Sequence, residues 1–213
     1  MSAQYWIARS IFRIAFKTCF RWRVYHPERV PDKGSVILAA NHASFMDPPV
    51  VGSAATRGIH YLARESLFRW PGIGALLRSV NAVPVDRDAG GASGLRVILD
   101  RLNRGEAIVL FPEGTRTYDG NLRAAQGGIG LVVVKSGVPV VPVRVFGTFE
   151  AWSRKMRLPR CRPIAVKFGK PVSFAALVAK TKTASKPGQK QIYQQIADEI
   201  MRVIAEMRPE SDP

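Results

Sequence analysis

Apolar and basic positions alternate at helical spacing over residues 5–23, and the two sets fall on different sides of the helix they predict. Ile7, Ala8, Ile11, Phe12, Ile14, Ala15, Phe16 and Cys19 share one broad side, whereas Arg9, Arg13, Lys17 and Arg21 recur every four residues opposite. Trp6 and Phe20 lie within the basic side, near its edges. A basic amphipathic helix rich in aromatics suits the plane of a membrane interface, with cations near lipid phosphates. A terminal helix packed on the body of its own domain carries the same pattern.

A proline-bounded connector, His26 to Pro31, follows, and then apolar runs alternate with amphipathic segments. The runs predict strands over residues 35–40, 59–63, 82–85, 106–111, 139–145 and 164–168, and helices over 48–56, 66–79, 92–104 and 127–136. Strands separated by helical patterns argue for an α/β fold: a mostly parallel sheet flanked by helices. Prolines inside the run Val138-Pro139-Val140-Val141-Pro142-Val143 point to an edge strand or a bulge, with a mainly structural role. A Lys/Thr/Ser-rich link near residues 179–190 precedes a last helix, whose stripe of Ile192, Ile196, Ile200, Ile204 and Met207 reads as a docking face. The expected organisation is a membrane-associating helix over residues 1–24 and a single α/β domain over 25–213.

Charge changes the picture more than composition does. With 32 Lys and Arg against 16 Asp and Glu, the 213-residue chain carries a formal +16. Such a field attracts nucleic acid, an anionic membrane surface, or acidic substrates and carriers. Two cysteines, Cys19 and Cys161, are too few for a disulfide framework and lack metal spacing, so a reducing compartment and no metal are expected. No uncharged apolar segment approaches the ~20 residues needed to span a bilayer. Arg9, Arg13 and Lys17 interrupt any signal-peptide core.

Candidate chemistry begins at Asn41-His42-Ala43-Ser44-Phe45-Met46-Asp47, directly after the first buried strand. On a straight helix His42 and Asp47 would lie about 140° apart. They meet only if the chain turns between them, so a strand–turn–helix junction is required. A neutral imidazole held by a carboxylate is a good general base for a hydroxyl proton. A second candidate is Phe111-Pro112-Glu113-Gly114-Thr115-Arg116, after the strand Ala107 to Leu110. Pro112 ends the ladder, Gly114 permits a tight loop, and Glu113, Thr115 and Arg116 together accept from hydroxyls and donate to anions. Ordinary turn chemistry with a solvated Arg116 is the alternative. The third is Val83-Pro84-Val85-Asp86-Arg87, where Arg87 either meets a phosphate or pairs with Asp86.

In this order and spacing the segments resemble the 1-acyl-sn-glycerol-3-phosphate acyltransferase (lysophosphatidate acyltransferase) family of glycerolipid acyltransferases. Four family blocks match residues 41–47, 81–87, 111–116 and 138–143, and the resemblance spans roughly residues 25–170. The resemblance implies acyl transfer from a thioester to a lipid hydroxyl. His42 would be the general base and Asp47 would orient it, as in a serine protease but with the substrate's own hydroxyl as nucleophile. Arg87 and Arg116 match positions proposed to hold the acceptor phosphate, and Glu113, Gly114 and Thr115 match those that position the glycerol backbone. The family folds as an α/β domain with an apolar tunnel for the acyl chain, and residues 67–77 are the candidate wall here, with plain helix core as the alternative. Two departures bear on the acceptor head group. Asn81 and Pro84 replace the usual glycine and an aromatic or aliphatic residue, and Ala124-Ala125-Gln126-Gly127 lacks a basic residue for which Arg123 is the nearest substitute.

The expected protein is therefore an acyltransferase at the cytoplasmic face of the cell membrane. Its expected partners are an anionic membrane surface, an acyl thioester donor (acyl-CoA or an acyl carrier protein) and a phosphate-bearing lysolipid. No cofactor and no nucleic acid are expected. The cluster Trp152, Arg154, Lys155, Arg157, Arg160 and Arg162 would serve membrane or carrier, or simply be solvated. A non-enzymatic basic binder of anionic lipid or nucleic acid explains the charge but leaves the His–Asp and Glu-Gly-Thr-Arg segments without a role. No Gly-x-Ser-x-Gly elbow supports a serine thioesterase.

Overall fold

A computed structural model of the chain describes residues 2–86 and 91–209. Its centre is β2 (Val36–Ala40), five apolar residues buried on both faces, as a parallel strand covered by helices must be. Seven strands form one sheet in the order β1-β7-β6-β2-β5-β3-β4, with β1 Arg23–Tyr25, β3 Ile59–Arg64, β4 Ala82–Val85, β5 Ala107–Leu110, β6 Val140–Phe146 and β7 Ala165–Phe168. Only the β6–β7 pair is antiparallel. The mostly parallel α/β sheet flanked by helices is the fold that the alternating pattern predicts.

Alternate residues of each strand feed two cores. Val36, Leu38, Val109, Val141 and Val143 face α1 (Ala3–Cys19) and α2 (Asp47–Ala54). Ile37, Ala39, Ile108 and Val140 face α4 (Gly91–Asn103), α5 (Gly128–Ser136) and α8 (Lys186–Glu206). The chain thus leaves β2 toward one face and β5 toward the other, although these strands are neighbours. That divergence opens a crevice at their carboxyl ends, where ligands bind in sheets of this type.

Several elements differ from the sequence expectation. The N-terminal helix stops at Cys19, because Arg21 turns the backbone into the left-handed region (φ 45°), and residues 23–25 become β1 alongside β7. The expected helix over 66–79 is broken. A 3-10 turn (Glu65–Arg69) and α3 (Ile73–Ser79) flank Trp70-Pro71-Gly72, where Pro71 disfavours helix at Trp70 and Gly72 sits at φ 78°. β6 is an interior strand, which corrects the edge assignment. Pro142 is tolerated because pairing shifts beside it: Gly169 donates to its carbonyl while Val140 bridges Val172, so the neighbouring chain holds one extra residue. Pro84, by contrast, lies in the edge strand β4. Two short helices, α6 (Thr148–Trp152) and α7 (Ala175–Thr181), had no expectation. The last helix begins within the expected link, where Ser185 accepts from Gly188 N as its cap and Pro187 fits the first turn.

The α5–α8 contact brings two helix backbones close together. A Cβ on Gly130 would lie 1.9 Å from the backbone oxygen of Tyr193, so the helices approach at a residue without a side chain. Gly130→Ala should therefore destabilise the protein by about 1–3 kcal/mol despite its helix propensity. Urea unfolding checks this, and an unchanged midpoint would mean that the two helices can separate freely.

Candidate active site

The turn after β2 begins where the ladder ends. Beyond the Ala40–Val143 pair, the Asn41 side chain donates to the Val145 carbonyl (3.2 Å) and accepts from Val145 N (2.7 Å), adding a side-chain rung to the β2–β6 pairing. The chain then reverses over residues 42–46 into α2. Asp47, fully buried at the start of that helix, closes the turn. Its Oδ2 accepts from Ala43 N (2.6 Å), Ser44 N (2.7 Å) and His42 Nδ1 (2.8 Å). Because the carboxylate oxygen only accepts, Nδ1 carries the proton and Nε2 is left with its lone pair. The strand–turn–helix junction required of the His42–Asp47 pair is present.

The loop after β5 reaches the same point because β5 pairs with β2 in the sheet. Phe111 stacks on the His42 ring, with centroids 3.9 Å apart and planes 17° apart. Phe111 O accepts from Gly114 N, and Gly114 adopts φ 69°, the left-handed turn that its lack of a side chain permits. Glu113 is turned inward and 2% exposed. Its Oε1 accepts from His42 N (2.8 Å) and its Oε2 from Arg123 N (3.1 Å). Burial pushes the Glu113 pKa up, and these two backbone hydrogen bonds oppose that shift. Thr117 N in turn donates to His42 O (2.9 Å). Both backbone groups of His42 are thus tied to the loop that follows β5.

His42, Asp47 and Glu113 are brought into one hydrogen-bonded unit. Gly114 lines a cavity with His42, Thr115 is half-buried, and the Arg116 guanidinium lies 3.4 Å above the ring centre of Phe45, a residue of the turn after β2. Arg87 lies outside the described residues; its neighbour Asp86 lines the cavity. The sequence reading gave no role to Phe111, although the residue stood inside the quoted motif. It also missed the contact of Phe45 with Trp152 (5.6 Å between centroids) and the hydrogen bond from Ser44 Oγ to Trp152 O (2.6 Å), which join α6 to the turn. Those depend on residues more than a hundred positions apart and leave no local signal.

The cavity holds about 700 Å³, and His42 and Phe111 are among the residues that line it. Leu62, Leu95, Ile98, Ile129, Leu131 and Val132 supply its aliphatic lining, so its walls come from β3, α4 and α5. Residues 67–77, the expected wall, do not line it. Leu67, Trp70, Ile73 and Leu76 are exposed, because the break at Pro71 turns that segment outward.

A mostly parallel α/β sheet thus carries a His–carboxylate pair whose histidine lines a largely aliphatic cavity. The chain belongs to the Acyltransferase family, whose model matches residues 21–146, more than half of it. It is 30% identical over 126 residues to the 1-acyl-sn-glycerol-3-phosphate acyltransferase of Bacillus subtilis, covering 59% of this chain and 62% of that one. It is also 30% identical over 111 residues to the lyso-ornithine lipid O-acyltransferase of Pseudomonas aeruginosa, covering 52% of this chain and 42% of that one. The matches span less than two thirds of these relatives' length. The crystal structure of the 1-acyl-sn-glycerophosphate (LPA) acyltransferase of Thermotoga maritima superposes with a TM-score of 0.74 at 24% identity, covering 97% of this chain and 81% of that one. That likeness establishes the shared fold.

Asp47→Ala would leave two backbone N–H groups and the His42 ring without their shared acceptor, at an expected cost on the order of 2–4 kcal/mol. Asp47→Asn keeps an oxygen at that point and should cost markedly less. Urea unfolding of both variants checks this, and equal midpoints would show that the oxygen does not hold the turn.

Proposed function

We propose that the protein transfers a fatty acyl chain from an acyl thioester, acyl-CoA or acyl carrier protein, to the sn-2 hydroxyl of lysophosphatidate, giving phosphatidate. The observation that carries this reading is the 2.8 Å His42–Asp47 pair, whose histidine lines the 700 Å³ cavity with its largely aliphatic walls. A cavity of this size and lining suits an alkyl chain. His42 Nε2 takes the acceptor's hydroxyl proton as its oxygen attacks the thioester carbonyl carbon. The imidazolium is stabilised by Asp47 across Nδ1. The tetrahedral intermediate then collapses, the carbon–sulfur bond breaks, and the imidazolium returns its proton to the departing thiolate. Arg116, stacked on Phe45 beside the turn, binds the acceptor phosphate, together with Arg87 as the family resemblance implies. Gly114 and Thr115 shape the floor beneath the glycerol unit. Glu113 acts on the acceptor through the loop it clamps.

Thiol release from palmitoyl-CoA in the presence of lysophosphatidate tests this. His42→Ala should lower the rate on the order of a hundredfold or more. Persistent activity in that variant would remove His42 as the base. Running lyso-ornithine lipid beside lysophosphatidate settles the acceptor, since both head groups occur among the relatives' names.

The reading also places the protein on the cytoplasmic face of an anionic membrane. Among the described residues no helix is long and apolar enough to cross one. α1 instead divides its apolar residues: Tyr5 and Phe16 are buried against the body, with Phe12 packed beside them, while Ile7, Ile11 and Ile14 are exposed along one line. α1 also touches α3, whose segment exposes Leu67, Trp70, Ile73 and Leu76. Apolar side chains exposed in such numbers, with Arg13 and Lys17 beside them, suit an interfacial helix that both docks on its domain and enters the lipid boundary. Replacing Ile7, Ile11 and Ile14 with serine should move most of the protein from pellet to supernatant in sedimentation with phosphatidylglycerol vesicles. Undiminished pelleting would exclude α1 as the docking element.

A further inference from the structure

The Tyr118 ring stands one residue beyond Thr117, whose N–H holds the His42 carbonyl. Its loop is folded by Asp119, whose carboxylate accepts from Thr117 Oγ1 (2.8 Å), Asn121 N (3.1 Å) and Asn121 Nδ2 (2.9 Å). These bonds present Tyr118 to solvent, 57% exposed. Two guanidiniums lie over this ring, Arg154 at 4.1 Å and Arg123 at 5.6 Å from its centre. Among the described residues neither is in an ion pair, and Nη1 of Arg154 is buried without a hydrogen-bond partner. Arg123 is fixed from behind, through the bond from its backbone N to Glu113. Stacking on an aromatic face orients a guanidinium but leaves its charge and in-plane donors available to an anion.

We propose that Arg123 and Arg154, held on Tyr118, form a second anion subsite that binds the phosphate of the thioester donor, the phosphopantetheine arm and its nucleotide in acyl-CoA. This rests on the acyl-transfer reading above. The chemistry of the two substrates separates the subsites. In lysophosphatidate the reacting hydroxyl is only a few bonds from the phosphate, so that phosphate must lie close to His42, where Arg116 stands on Phe45. In the donor the reacting carbonyl is separated from the nearest phosphate by the whole pantetheine arm, so that phosphate must lie farther out. Arg123 and Arg154 are the next guanidiniums along the same loop and the adjoining α6 end.

The experiment measures kcat/KM for one acyl group on three donors, with lysophosphatidate held constant: coenzyme A, 4′-phosphopantetheine, and N-acetylcysteamine, which has no phosphate. For Arg154→Ala and Arg123→Ala, the ratio of the acyl-CoA value to the N-acetylcysteamine value should fall about tenfold or more relative to wild type. Tyr118→Leu should reproduce the fall, whereas Tyr118→Phe should not. A fall for both phosphate-bearing donors assigns the phosphopantetheine phosphate, and a fall for acyl-CoA alone assigns the nucleotide phosphates. An equal loss on all three donors, or a loss confined to the KM for lysophosphatidate, would overturn the proposal. A wild-type protein that discharges none of the donors would instead refute the acyl-transfer reading beneath it.

Discussion

A single buried oxygen holds the site together. Asp47 Oδ2 takes three N–H donors from a stretch of three residues, and because the buried Oδ1 has no hydrogen-bond partner, all compensation for burying the carboxylate falls on that one oxygen. The turn is therefore as tight as the desolvated charge demands. The same oxygen sets the histidine tautomer and seats the carboxylate at the amino end of α2, where a negative charge is favoured. Pro48 and Pro49 occupy the first turn of that helix, where backbone N–H groups have no intrahelical partner to lose. Orientation of the His42 ring and folding of the strand–helix junction are thus one interaction, and a change that disturbs either disturbs both.

The sheet makes this local device useful by bringing a distant loop to it. β2 and β5 are about seventy residues apart in the chain but adjacent in the sheet, and their following helices depart to opposite faces. His42 and Glu113 meet across that divergence. Glu113 then acts as a two-ended clamp, with one oxygen on the backbone of His42 and the other on the backbone of Arg123. Its burial opposes ionisation while the two N–H groups favour it, the balance expected of a carboxylate built into a fold.

Legibility in the sequence follows the range of the forces. Continuous apolar runs revealed the six longer strands, most plainly β2 and β5, where burial on both faces requires such a run whatever the partner. β1 was hidden: its three residues become a strand only by pairing with β7, far along the chain. The interior position of β6 was hidden for a similar reason, since Pro142 looks forbidden until the shifted pairing beside it is seen. The break at Trp70-Pro71-Gly72 and the cap at Ser185 were local and readable, but the helical periodicity and the Lys/Thr/Ser composition outweighed them. At the site, the residue types and their order were legible while their orientations were not. Glu113 reads as a substrate ligand in the sequence, whereas its side chain is directed into the backbone.

The net charge of +16 also means something different once located. Some cations on the outer helices are neutralised at short range: Arg104 pairs with Asp100 on α4, and Arg202 pairs with Glu199 and Glu206 on α8. Around the turn after β2, guanidiniums also lie over aromatic rings, Arg116 over Phe45 and Arg123 and Arg154 over Tyr118. A carboxylate partner would fix a guanidinium and cancel its charge, whereas an aromatic face fixes it and leaves the charge in place. Arg123 and Arg154 are thus ordered on Tyr118 before any anion arrives. Under the proposed reaction, much of the entropic cost of arranging those side chains around substrate phosphates is met during folding. The low-dielectric wall of the neighbouring apolar cavity strengthens their field at the site.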